Sequence, residues 1–183
     1  MRIEKTPLDG CLIIHNTIYK DSRGYFFESF NRKEFFELTG IDADFVQDNQ
    51  SSSVRGVLRG LHFQTGEFAQ AKLVRVIEGI VLDVAVDIRK RSPTYGKHFA
   101  IELSGTSFTQ FYIPRGFAHG FVVLSEKAVL FYKCDNYYHK AAENGVAYND
   151  PDLSIDWLLP AEELILSEKD KQNPVFKNIT TIL

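Results

Sequence analysis

The sequence predicts an all-β fold, a sandwich or barrel of antiparallel strands with a few short helices, and three observations point there. Short runs rich in β-branched and aromatic residues recur at near-regular spacing, separated by turns containing Gly, Pro, Asn and Asp. Helical periodicity is nearly absent outside one segment of the front half. Aromatic residues make up 13% of the chain, with 15 Phe, which suits a packed β interior. With 183 residues the chain is long enough for one core and short for two, so positions 1–183 read as one domain.

Leu12 to Tyr19 reads as a first strand and Asp21-Ser22-Arg23-Gly24 as a turn, since Asp, Ser and Gly each favour turns for a different reason. Tyr25 to Phe30 is aromatic-rich, and alternation sets Glu28 on the face of Phe26 and Phe30, where a carboxylate needs a donor or an edge open to water. The spacing predicts a helix over Asn31 to Thr39: Asn31 is the N-cap, Glu34 closes a capping box, Phe35, Phe36 and Leu38 are apolar, and Gly40 ends it. Phe45 to Ser53 starts as a strand and is expected to dissolve into a polar loop, although alternation puts the amides of Gln47 and Asn49 on one face.

The stretch from Val54 to Val76 gathers Arg59, His62, Gln64 and Lys72 between apolar residues. Two strand segments, Val57 to Gln64 and Ala71 to Ile77, flank a Gly-containing loop. Alternation points His62 and Gln64 one way and sets Lys72 on the face of Val74 and Val76. Taken singly, His62 reads as a hydrogen-bonded core histidine and Lys72 as a snorkelling surface lysine. Together, a base and a cation argue for a site.

Gly79 to Ile88 follows as a strand with Leu82, Val84, Val86 and Ile88 on one face and Asp83 and Asp87 on the other. Ser92 to Gly96 is a turn, Phe99 to Leu103 a strand, and Ser104 to Thr106 another turn. Gln110 to Ile113 leads into Pro114-Arg115-Gly116-Phe117-Ala118-His119. Ala128 to Lys133 is a further strand, with Tyr132 opposite Phe131 and Lys133. In the tail, Ala141 to Gly145 reads as a loop, Asn149 to Asp152 as a sharp turn, and Ser167 as a helix cap with Asp170 in the third position.

Composition narrows the function. With 24 acidic against 21 basic side chains the net charge is −3, and no Lys/Arg run offers the concentrated positive face that nucleic acid requires. The apolar runs are too short to span a bilayer, and Arg2, Glu4, Lys5 and Asp9 interrupt any signal-like segment. A cytoplasmic location is expected. Cys11 and Cys134 lack metal-site spacing and are too few for a disulfide framework, so both read as reduced thiols.

Two segments resemble the paired motifs of the cupin superfamily, whose fold is a double-stranded β-helix or jelly roll: Gly56 to Gly79, and the P-x-G-x-x-H of Pro114 to His119. Metal-binding cupins carry two His and a Glu in the first motif. Here His62 is followed by Gln64, and Gln70 and Lys72 stand where a carboxylate would be, so the expectation is a site without a metal. A closer resemblance rests on an ordered set of phrases: Asp21 to Glu28, Arg59 to Gln64, Gln70 to Val76, Asp83 to Arg89, Pro114 to Phe121, Tyr132-Lys133-Cys134 and Ser167 to Asp170. Together they resemble the dTDP-4-dehydrorhamnose 3,5-epimerase family over essentially the whole chain.

That resemblance implies inversion of carbons 3 and 5 of a dTDP-4-keto-6-deoxyhexose through an enolate, with no redox cofactor. It implies His62 as base, Asp170 on its other ring nitrogen, Tyr132 as the proton donor of the opposite face, and Lys72 beside the ketone oxygen. Arg23 and Arg59 match its diphosphate and nucleotide contacts. Glu28, Gln47, Asn49, His119, Glu143 and Lys169 match its other substrate contacts, and Tyr138 matches a stacking surface for the base. Alternation leaves Asp83 as a partner of His119 or Lys72, or as a solvated edge carboxylate. The resemblance also implies a homodimer in which Arg23 and Glu28 act across the interface. Rival readings are an epimerase at a single carbon, a ketoisomerase on a related sugar, and a sugar-binding cupin without catalysis.

Overall fold

The computed structural model describes residues 1–179. Strand β1 (Arg2–Lys5) pairs with β2 (Leu12–His15), and β3 (Tyr19–Asp21) forms a separate hairpin with β4 (Gly24–Phe26). Helix α1 (Arg32–Thr39) follows. Then come β5 (Gln47–Val54), β6 (Leu58–Gln64), β7 (Lys72–Glu78), β8 (Ile80–Asp87), β9 (His98–Ser104), β10 (Thr109–Ile113), β11 (Phe117–Val123), β12 (Lys127–Cys134) and β13 (Glu143–Gly145). One sheet has the order β1-β2-β10-β7-β12-β5 and the other β13-β6-β11-β8-β9. Their pairings are antiparallel, and the two sheets stack as the jelly roll expected from the sequence.

Alternation builds the layers. Val74, Val76, Phe111 and Leu130 of the first sheet meet Val81, Ala85, Phe121 and Val123 of the second in the interior. The opposite face of β8, with Leu82, Val84 and Val86, together with Ile88 just past its end, packs outward against Val146, Leu153, Trp157 and Phe176 of the C-terminal segment. Helix α1 covers part of the other outer face, where Phe35 is fully buried against Ile14, Leu73 and Tyr112. Burying such a ring contributes about 1.5–3 kcal/mol. No helix among the described residues is long and apolar enough to cross a membrane.

Helix α1 starts and stops where its caps place it: Asn31 Oδ1 accepts from Glu34 N–H at 3.2 Å, and Gly40 is left-handed at φ 72°. The reciprocal half of the capping box is missing, because the Glu34 carboxylate takes the N-terminal ammonium at 2.9 Å instead.

Four expectations need correction. The first strand ends at His15 rather than Tyr19, since its partner β10 begins at Thr109, opposite His15, and the chain then leaves for the β3–β4 hairpin. β1, which the sequence reading passed over, is an edge strand paired with β2. The segment expected to dissolve into a loop is the strand β5 itself, paired with β12 from Gln47 to Val54. Its inward residues are polar because they face a cavity rather than a core. Residues 143–145 form β13 on the edge of β6, with no β-branched residue to announce it. Beyond these, Tyr25 to Phe30 is extended only as far as Phe26, and Glu28 is exposed, accepting from Asn31 Nδ2 at 3.3 Å.

Candidate active site

At one end of the interior, the inward positions turn polar. On β7 Lys72 continues the row of Val74 and Val76, on β12 Tyr132 and Cys134 continue that of Ala128 and Leu130, and on β11 His119 stands between Phe117 and Phe121. His62 of β6 lies directly opposite His119 in the register. The strands come this close because Gly60, at φ +133°, has no side chain: a Cβ there would stand 2.5 Å from Gly120 Cα. A cavity of about 640 Å³ opens at this end, lined by His62, His119, Lys72, Tyr132, Asn49, Arg59, Glu143, Lys169 and Asp170 among others.

Asp170 arrives from the C-terminal segment. That segment is laid against β6 by two backbone bonds, Ile165 N–H to Gly56 O at 2.8 Å and Leu58 N–H to Ile165 O at 3.0 Å. Gly56 admits it, since a Cβ there would clash with Glu163 O at 2.2 Å. Asp170 is 4% exposed, and its Oδ1 lies 2.5 Å from His62 Nε2. Its backbone N–H is capped by Ser167 Oγ at 3.1 Å. The capping turn expected from the sequence and the contact with His62 therefore coexist, on one turn of 3-10 helix over Asp170–Gln172. Burial pushes the Asp170 carboxyl upward, but contacts from His62, Ser167 and the Gly60 backbone outweigh it and hold the carboxyl below its usual range. Asp170 is thus an anion placed to orient the imidazole and to stabilise its cation.

Lys72 faces the same cavity. Its Nζ is 3.4 Å from His119 Nδ1 and 5.6 Å from the centre of the Tyr132 ring. Burial lowers its pKa, opposed by the neighbouring Cys134, Asp83 and Glu143. His119 Nε2 lies 3.0 Å from both oxygens of Asp83, which is fully buried. Of the three readings left open for Asp83, the structure shows the contact with His119. Burial pushes the Tyr132 phenol up to about 12, aided by Cys134 and opposed by Arg59, so it is protonated at neutral pH.

At the mouth, Glu143 accepts from Tyr138 Oη at 2.9 Å and pairs with Lys169. Desolvation raises the Glu143 carboxyl, and these two partners more than reverse that. Tyr138, 49% exposed, and Gln47 line the adjoining part of the cavity, and Gln47 Nε2 donates to Asn49 at 3.1 Å. Arg59 Nε donates to Ser53 Oγ at 3.2 Å, leaving the end of its guanidinium toward the opening.

The donor set does not fit a cupin metal. Gln64 Oε1 is spent on His139 N–H at 3.0 Å and Gln70 Nε2 on Asn136 O at 2.7 Å. The histidine of the second motif faces an ammonium, which repels a divalent cation. No group of three or more His, Cys, Asp or Glu side chains among the described residues is arranged to hold a metal ion.

Of the residues singled out in the sequence, all but Arg23 and Glu28 gather here. Those two lie on and just after the β3–β4 hairpin, away from this chain's own cavity: Arg23 pairs with Asp21 at 2.6 Å and Glu28 is exposed. The hairpin pairs only with itself, as a two-stranded sheet apart from the two that enclose the cavity, and neither residue lines it. Ser51, Ile165 and Leu166 also line the cavity and were not singled out. Ser51 shares the face of Gln47 and Asn49 and was legible by alternation, whereas nothing local marks Ile165 and Leu166.

The sequence model of the family described as dTDP-4-dehydrorhamnose 3,5-epimerase matches residues 5–178. A dTDP-4-dehydrorhamnose 3,5-epimerase of Methanothermobacter thermautotrophicus is 50% identical over 182 residues, covering 96% of this chain and 97% of the relative. The crystal structure of the same-named enzyme from Elizabethkingia anophelis is 59% identical, with a TM-score of 0.94 and 97% of each chain covered. A dTDP-6-deoxy-D-glucose-3,5-epimerase of Legionella pneumophila, solved in complex with dTDP-4-keto-L-rhamnose, is 50% identical at a TM-score of 0.94, covering 98% of this chain and 94% of that one. With a family match over nearly its whole length and relatives at this identity, the chain belongs to the dTDP-4-dehydrorhamnose 3,5-epimerase family.

Proposed function

We propose that the protein is an isomerase that inverts C3 and C5 of dTDP-4-dehydro-6-deoxyglucose, acting in the biosynthesis of a deoxysugar of the dTDP-L-rhamnose type. One observation carries this reading. A base, His62, comes from one sheet and a phenol, Tyr132, from the other, and the space between them has a cation, Lys72, on its wall. A sugar ring lying between the sheets presents one face to each.

Protons on carbons flanking a ketone are acidic because the resulting carbanion delocalises onto oxygen as an enolate. His62, whose Nε2 is engaged by Asp170, takes such a proton on its other ring nitrogen, and Asp170 stabilises the imidazolium. Lys72 meets the charge developing on the C4 oxygen. Tyr132 delivers its proton to the opposite face of the carbon, and burial keeps it protonated until then. Both groups re-equilibrate with solvent, so each inversion exchanges one carbon-bound proton for one from water. The chemistry calls for neither a redox cofactor nor a metal.

Arg59 suits the diphosphate, since guanidinium matches phosphate geometry. Tyr138 offers a stacking face for the base, Gln47, Asn49, Glu143 and Lys169 polar contacts to sugar and nucleotide, and His119 a ring edge against the sugar. The protein works as one domain, in the cytoplasm, where Cys11 and Cys134 stay reduced. It forms a homodimer in which Arg23 and Glu28 reach the partner subunit's cavity. Two features support this: Tyr19, Tyr25 and Phe26 on the hairpin are 63%, 59% and 65% exposed, and Arg75 on the outer sheet face has a buried Nε without a partner among the described residues.

Proton NMR of dTDP-4-keto-6-deoxyglucose with the protein in heavy water tests the reaction directly. Loss of signal at both C3 and C5 is expected. Exchange at one carbon alone would make it a single-centre epimerase, movement of the carbonyl would make it a ketoisomerase, and no change would reduce it to a binding protein. Activity should survive a chelator, and its disappearance would restore the metal-binding cupin.

A further inference from the structure

A lysine ammonium on four methylenes has no intrinsic aim; it meets an enolate oxygen only if something fixes its N–H bonds. His119 and Asp83 stand behind it. Asp83, on β8, is fully buried, is absent from the cavity wall, and has both carboxylate oxygens 3.0 Å from His119 Nε2. An ionised carboxylate only accepts, so Nε2 of the ring carries the proton. His119 is itself buried beside a cation: burial disfavours a second proton, Asp83 favours one, Lys72 disfavours it, and the balance holds the ring below its usual pKa. Nδ1 is then a bare lone pair, and it lies 3.4 Å from Lys72 Nζ.

We infer that Asp83 is a positioning residue: by holding His119 as its Nε2–H tautomer, it presents Nδ1 as the acceptor of one Lys72 N–H and turns the other two toward the cavity. His119 in this arrangement is a fixed acceptor. The face of the Tyr132 ring, 5.6 Å from Nζ, limits the ammonium from another side. Cys134, opposite Lys72 in the strand register, bounds it from the neighbouring strand. The tautomer stands on geometry alone, whereas its effect on turnover rests on the epimerase reading above.

The two parts are tested separately. In protein labelled with 15N-histidine and free of substrate, long-range 1H–15N correlation of the five histidines, assigned with His119→Gln, should show His119 neutral and protonated at Nε2. A ring protonated at Nδ1 or at both nitrogens overturns the inference even if the enzyme is fully active. Asp83→Asn, whose amide can donate to Nε2, should shift His119 toward Nδ1–H. It should lower kcat for deuterium exchange by about 10- to 100-fold while leaving dTDP affinity within about twofold. An unchanged kcat, or a loss confined to KM, counts against positioning. His119→Gln keeps one donor and one acceptor and should retain more activity than His119→Leu; equal loss in the two overturns it. If Asp83→Asn does not fold, the wild-type tautomer and the Gln/Leu pair still decide.

Discussion

The interior of this sandwich has a dry end and a polar end, built by the same strands with the same alternation. Along β12 the inward row runs Ala128, Leu130, Tyr132, Cys134; along β11 it runs Phe117, His119, Phe121, Val123. The backbone marks the polar end only locally, at Gly60 and at the shift in the β6–β11 register beside His119. At the dry end, side chains such as Leu130, Val74 and Phe111 are fully buried and stabilise by leaving water. At the polar end each buried group costs free energy unless a partner meets it, and the partners are specific: Asp170 for His62, Asp83 for His119, His119 for Lys72. One end therefore holds the fold and the other holds chemistry, and changes at the two ends should separate stability from activity.

The largest effect is expected from His62→Ala, which removes the proposed base: deuterium exchange into the keto sugar should fall by about 10³-fold or more, with the circular dichroism spectrum unchanged. Exchange at the wild-type rate would end its role. At the dry end, Leu130→Ala should do the reverse, costing about 2–5 kcal/mol in urea unfolding while leaving kcat of the folded protein near normal. Tyr132→Phe should reduce epimerised product by about 10²-fold but spare proton loss, a split visible when exchange and product are followed in one NMR tube. Equal loss of both would argue against a donor on the opposite face.

The smallest effect concerns Asp87, a buried carboxylate outside the cavity. Burial pushes it upward, but Arg89, Ser92 at 2.5 Å and Thr94 at 2.6 Å outweigh that and hold it below the usual range. A lowered folded pKa stabilises above the unfolded value of about 3.9 and ceases to do so as pH falls through the folded value. Urea unfolding between pH 5 and pH 2 should thus show wild type losing more stability than Asp87→Asn. Parallel pH profiles would show that the cluster does not act through ionisation.

Much of the fold was legible because alternation is local. β8 was readable on both faces, and helix α1 was bounded by its own caps. Misreadings fell where pairing overrides composition. β5 has almost no apolar residue and is a strand because β12 supplies its hydrogen bonds and a wet cavity accepts its amides. β13 is a strand because β6 leaves an open edge. In the site, His62 and Gln64 could be assigned a common face from spacing, but Ile165 and Leu166 are cavity walls only because a distant segment crosses β6.

Local pattern alone settles which side chains share a strand face, where α1 starts and stops, and which residue types are present for proton transfer. These follow from the period of the backbone and from chemistry carried within a few residues. The tertiary structure decided which face meets which. His62 and Asp170 are 108 positions apart, and Lys72 and His119 are 47 apart. Their meeting depends on two sheets stacking and a C-terminal segment folding back, through contacts that no local pattern encodes.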